Sequence, residues 1–206
     1  MALSSALSSL LVAGLAASAI TVPMAFAQST KAPLAVDTAR VSIAGTSNIH
    51  EYTASTTTVR VTQVKLAPSV TGAAFWAEIV KPGAIEAFEV AIPAATLTSP
   101  KDGLDKNMHK ALNVEKFPDI TFKLARLEGA PGSLRAVGTL RIAGVEREVV
   151  MVLTTEQRGN TLIVKGRLPL LMTDYGIKPP TALLGMLKTD PKVTVSFETV
   201  LAVPLT

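Results

Sequence analysis

His50 and His109 are the only imidazoles in this 206-residue chain, and there is no cysteine. As a metal pair they would need carboxylates to complete a site. Asp102 and Asp105 read as helix-terminus residues rather than as paired acids. Serine and threonine are plentiful, but no Gly-x-Ser-x-Gly elbow and no glycine-rich phosphate loop is present. A Ser–His–Asp triad therefore has no local motif behind it, and the reading is a binding protein rather than an enzyme. The polar residues are better suited to orienting a guest. Asn48, His50 and Tyr52 share one face if their strand is regular, which fits the mouth of a channel, and Lys178 is placed to face an anionic headgroup.

The elements that must hold such a mouth are strands. Val41 and Ile43 share a face, as do Phe88, Val90 and Ile92, and then Ile120, Phe122 and Leu124. Leu134, Ala136, Leu140 and Ile142 alternate with Arg135, Thr139 and Arg141, and Val193, Val195, Phe197 and Leu201 alternate with polar neighbours. With YTASTTTVRVTQVKL, REVVMVLTTE and TLIVKGRLPLLM, this makes about eight strands, most with a period of two. Tight turns such as Ala143-Gly144 and Arg158-Gly159-Asn160 imply antiparallel pairing.

Two segments break the alternation. Asp102–Asn113 offers Asp102 as an N-cap and sets Leu104, Met108 and Leu112 at helical spacing. Thr181–Leu187 reads as a short apolar helix between the last two strands, after Asp174-Tyr175-Gly176 and the stiff Lys178-Pro179-Pro180 corner. The expected fold is all-β: a single eight-stranded antiparallel barrel with one or two short helices covering its ends.

An apolar strand face must be buried somewhere. Two sheets facing each other give a sandwich with a solid core, whereas one curled sheet gives a barrel with room for packed side chains or a small ligand. Aromatics are only 4% of the chain and the inward candidates are mostly Val, Leu, Ile and Ala, which favours some vacancy. Alternation alone does not choose between the two. If the interior is hollow, burying a ~20-carbon chain at roughly 0.8 kcal/mol per CH₂ gives a gross gain of about 16 kcal/mol, reduced by several kcal/mol for immobilisation. The candidate ligand contacts are Asn48, His50, Tyr52, Trp76, Phe88, Met108, His109, Phe122, Leu140, Met172, Tyr175, Leu184 and Phe197. Trp76 reads equally well as a core aromatic.

The first charged side chain is Lys31, and a small and apolar run ends in Ala25-Phe26-Ala27. This reads as a secretory signal peptide over residues 1–27, leaving one domain over residues 28–206. The alternative is a retained membrane anchor, since the run is nearly long enough to span a bilayer. Without cysteine, disulfides, thiol chemistry and a lipidated cysteine are excluded, and a bacterial envelope setting fits best. The net charge of +4 is dispersed, with no basic run interleaved with aromatics, so nucleic acid is not an expected partner. A weak attraction to anionic lipid surfaces remains. Nothing marks a dimer face, so monomer and homodimer both stay open.

Several motifs resemble those of the YceI-like family of exported lipid-binding proteins, over nearly all of the expected mature chain, from about Ala35 to Ala202. Asp37 with Gly45-Thr46-Ser47-Asn48-Ile49-His50 is similar to the family's opening element. Phe117-Pro118-Asp119-Ile120-Thr121-Phe122 resembles a strand entry, and Gly138-Thr139-Leu140-Arg141-Ile142-Ala143-Gly144-Val145 its hairpin. Asp174-Tyr175-Gly176-Ile177 resembles its Asp-aromatic-Gly-Ile corner. The resemblance implies a lipocalin-like barrel whose channel holds a polyisoprenoid or quinone-like lipid, with no other cofactor. It also implies a periplasmic setting with transient contact with the membrane or a membrane cytochrome. Where family members often carry Arg-Asp-x-His-Leu, this chain has Leu104-Asp105-Lys106-Asn107-Met108-His109, a departure that leaves room for different headgroup contacts, so ligand identity does not carry over.

Overall fold

Alternating side chains let each strand bury one face while wetting the other, and here every such face turns toward one interior. The computed structural model describes residues 33–130, 132–182 and 186–203, all within one compact unit, Lys31–Thr206. Its strands are β1 (Ala35–Ser47), β2 (Glu51–Thr56), β3 (Arg60–Leu66), β4 (Ile85–Pro93), β5 (Asp119–Ala130), β6 (Ser133–Ile142), β7 (Val145–Arg158), β8 (Thr161–Leu171), β9 (Thr181–Ala182) and β10 (Leu187–Ala202). Two helices interrupt them, α1 (Phe75–Ile79) and α2 (Asp102–Leu112). The strands form one antiparallel sheet ordered β2-β1-β10-β8-β7-β6-β5-β4-β3, with β9 paired only to β10. The sheet curls into a half-barrel. The sandwich alternative required two sheets, and the described strands make one.

The all-β architecture is the expected one, with nine strands along the main path in place of eight. The extra strand arises within the Thr-rich stretch, read from sequence as continuous. Thr56 Oγ1 accepts the Thr58 amide at 3.0 Å and lies 2.7 Å from Thr96 Oγ1, which turns the backbone and ends β2. β2 pairs with β1 at one edge of the sheet and β3 with β4 at the other, so the chain crosses the seam at this turn. A bridge between Ser55 and Thr98, with amide–carbonyl bonds of 2.8 and 3.0 Å, partly closes that seam.

A second departure concerns Thr181–Leu187, which is not the expected helix. Thr181–Ala182 pairs with Leu187–Lys188 as a hairpin, and residues 183–185, including the candidate Leu184, lie outside the described residues. Pro180 biases the preceding residue toward extended backbone, and the Pro180 carbonyl accepts the Thr189 amide at 3.2 Å. A seven-residue helix would have left most of its end groups unpaired; the hairpin gives several of them partners.

α2 forms as expected, although Asp102 is its first helical residue rather than its cap. The Asp105 carboxylate instead accepts the Ser99 amide at 2.7 Å, and Asn113, at φ 51°, closes the C-terminus. The core has two centres. Trp76 and Ile79 of α1 join Leu34, Leu124, Leu134 and Leu153 in one. Leu112 of α2 joins Leu97, Ile120, Leu140, Ile142 and Leu168 in the other. The helices thus cover different parts of the sheet's concave face.

β7 and β8 pair only over Val152–Arg158 and Thr161–Arg167. Beyond that, Leu168–Leu171 pairs with β10 alone, and a single helical turn, Met172–Tyr175, packs against β7, β8 and β10. Tyr175, 3% exposed, belongs to the core at this split.

Candidate functional site

Successive inward residues on four strands line two chambers stacked along the strand direction. Ile43, Ile142, Leu170 and Val193 line the first; Val41, Leu140, Leu168 and Phe197, each two or four residues further along the same strands, line the second. Val195 lines both. The chamber volumes are about 460 Å³ and about 200 Å³. From Val193 to Leu201 the lined length is about 27 Å, at roughly 3.4 Å per residue.

The chambers differ in chemistry. The first has an apolar floor that includes Leu104, Met108 and Leu112 of α2, and a polar rim of Ser47, His50, Glu51, Ser99, Lys101, Asn107 and Thr189. The second is almost wholly aliphatic and aromatic, with Phe88, Phe122 and Phe197 among its walls. The site thus grades from polar to greasy along its length, as an amphiphile does.

Glycines make room for two of those rings. A Cβ on Gly166 would collide with the ring of Phe197, its cross-strand partner, and one on Gly138 would collide with Phe122. Neither glycine has a positive φ, so what each supplies is room for a ring close to the strand backbone.

The candidate contacts distribute as follows. His50, Tyr52, Met108, Met172 and Tyr175 line the first chamber, and Phe88, Phe122, Leu140 and Phe197 the second. The other described candidates lie elsewhere. Trp76 is 5% exposed in the core and packs edge-to-face with Phe75, ring centroids 5.0 Å apart. His109 Nε2 lies 2.8 Å from the Leu97 carbonyl, tying α2 to the preceding loop. The described residues contain no group of three or more His, Asp or Glu side chains arranged to hold a metal ion.

Asn48 has a structural task. Its Nδ2 donates to the Met186 carbonyl at 2.8 Å, its Oδ1 accepts the Lys188 amide at 2.8 Å, and its own amide donates to the Lys188 carbonyl at 3.1 Å. This joins the β1–β2 hairpin to the β9–β10 hairpin beside the first chamber's mouth. Asn48→Ala removes the two side-chain bonds and is expected to cost about 1–2 kcal/mol. Hydrogen exchange checks this: the Lys188 amide should exchange much faster in the variant than in the wild type.

Two tyrosines mark the polar end. Tyr52 lies over Gly45, and burial, then the negative charge of Asp190, pushes its phenol above the usual range. Burial, followed by Asp174, does the same to Tyr175, while Arg147 pulls the other way. The Tyr175 hydroxyl is buried without a partner. A phenol whose folded value lies above 10.0 contributes stability that is intact below pH 10 and is lost as pH rises through the folded value. Tyr175→Phe is therefore expected to keep or slightly raise Tm at pH 7, since it removes an unsatisfied buried group, and to lessen the loss of stability above pH 10. A thermal melt series from pH 7 to 11 reads both.

Ile43, Val193 and Val195 read from sequence only as strand faces, yet all three line the first chamber. Ser99, Lys101 and Thr189 carried no local signal, because only the topology brings their segments to one rim.

The chain and its fold match a known family. The YceI-like domain matches residues 21–201, and the chain belongs to the YceI-like family. Among solved structures it is similar to BcnA of Burkholderia cenocepacia, at 17% identity and a TM-score of 0.61, covering 79% of this chain and 95% of that one. It is also similar to a polyisoprenoid binding domain from Saccharophagus degradans implicated in plant cell wall breakdown, at 13% identity and a TM-score of 0.62, covering 84% and 100%. The YceI protein of Campylobacter jejuni matches at 15% identity and a TM-score of 0.54, covering 69% and 80%. At these identities the likeness is one of fold. No curated protein matches the chain.

Proposed function

We propose that this is an exported, periplasmic binding protein that holds a long-chain isoprenoid or a similar amphiphilic lipid, tail in the second chamber and polar end in the first. The observation that carries the reading is the pair of stacked chambers that share Val195 in their walls, apolar within and polar at one rim. The larger chamber alone falls within the roughly 300–1,000 Å³ of typical ligand sites. The polyisoprenoid-binding domain of Saccharophagus degradans, which has the same fold, supports the choice of ligand class. The protein acts by sequestering its guest: the interior supplies burial, and the rim supplies hydrogen bonds that set orientation.

The outward face suits water rather than lipid. It carries ion pairs such as Lys165–Glu198 at 2.9 Å and Arg158–Glu156 at 2.8 Å, where a membrane-embedded barrel would present an apolar band. Calorimetry against prenols of increasing length tests the proposal. Affinity should climb with each isoprene unit until about 20 carbons and then level off, the plateau marking the end of the second chamber. Affinity that is absent, or independent of length, would overturn it.

A further inference from the structure

Ile49 and Met186 are the two most exposed large apolar side chains among the described residues, at 61% and 69%. They sit in separate hairpins, and Asn48, next to Ile49, binds the Met186 carbonyl and the Lys188 amide. The hairpin ends that carry the two apolar tips are therefore joined into one prong. That prong borders the mouth of the first chamber, which Ser47, His50 and Thr189 from the same two hairpins line.

We propose that the mouth docks on a lipid bilayer, with Ile49 and Met186 inserted into its interfacial layer so that a lipid passes between bilayer and chamber without crossing water. The proposal rests on the lipid-binding reading above. Three features favour a bilayer over another occupant. Two side chains offer far less than the roughly 1,200 Å² of total burial that a stable protein–protein interface needs. Charges of both signs flank the prong, with Glu51 and Lys101 on the rim and Lys188 just beyond Met186, which suits a headgroup layer better than a protein's dry core. The prong is also continuous with the chamber entrance, where a hydrocarbon tail has most to lose by meeting water.

The test compares Ile49→Ser/Met186→Ser with Val150→Ser/Val152→Ser, which alters exposed apolar residues on β7, away from the mouth. Each is sedimented with vesicles of phosphatidylcholine and, separately, of mixed phosphatidylethanolamine and phosphatidylglycerol. A prenol supplied from dilute solvent reports on the chamber. The wild type and the β7 variant should partition alike, and the prong variant should partition at least about tenfold less, given the transfer free energy of two apolar side chains, with prenol affinity unchanged. Wild-type protein that ignores both vesicle types, or a prong variant that partitions like wild type, would overturn the proposal. So would light scattering that shows a wild-type dimer which the prong variant dissolves, since a second copy would then cover the patch. Loss of prenol binding in every protein would sink the lipid-binding reading, while vesicle partitioning would still report on docking.

Discussion

Val195→Trp is expected to cut affinity for a ~20-carbon prenol by at least about 100-fold while leaving a ~10-carbon prenol little affected. Val195 lines both chambers, so an indole there is expected to fill the space between them and to leave only the first chamber open to a tail. A tail shortened from ~20 to ~10 buried carbons forfeits roughly 8 kcal/mol of gross transfer free energy at about 0.8 kcal/mol per CH₂. The observed loss is smaller, because the excluded tail is also spared the cost of being immobilised. Parallel calorimetry on the two prenols, with a thermal melt to confirm folding, provides the check. Equal losses for both lengths would mean that the chambers do not form one continuous site.

Gly166→Val should destabilise the protein by about 1–3 kcal/mol through overpacking. Its new side chain meets the ring of Phe197 from β10 and Leu153 Cδ2 from β7, the latter at 2.9 Å from the added Cβ, so the strand has neighbours on both sides. Tm should fall by about 2–4 °C for each kcal/mol in a domain of this size. Phe197→Ala in the same chain removes the ring that the valine strikes. The double variant should be more stable than the sum of the singles by at least about 1 kcal/mol, since contacting residues couple in this way. Strict additivity in denaturant unfolding would show that the ring does not depend on the glycine beneath it.

The period-two faces exposed most of this architecture in advance. Val193, Val195 and Phe197 read as one inward row, and they are the row that walks from the first chamber into the second. Leu104, Met108 and Leu112 likewise read as one helical face, and that face lines the first chamber. Alternation could not show whether the interior was solid or hollow, because both place the same residues inward. Nor could it show the break at Thr56, since threonine and valine suit a continuing strand as well as they suit one that ends at a side-chain-to-backbone turn.

The pairing of Thr181–Ala182 with Leu187–Lys188 is hidden in the sequence for a related reason. Short apolar runs do not distinguish helix from strand, and the partners that decide the matter, Asn48 and Thr189, lie outside the run. Asn48 reads from sequence as a polar mouth residue, whereas in the structure its side chain is a clamp between hairpins. A residue's neighbourhood was legible from its motif, whereas its hydrogen-bond partners depended on contacts made by distant parts of the chain.

Native mass spectrometry of the protein purified without detergent, followed by organic extraction of the same sample, bears most directly on the central claim. A one-to-one complex with a long-chain lipid, released by solvent and taken up again by the stripped protein, is the expected result. Protein that flies at its bare mass, yields no lipid on extraction and takes up none afterwards would contradict the account.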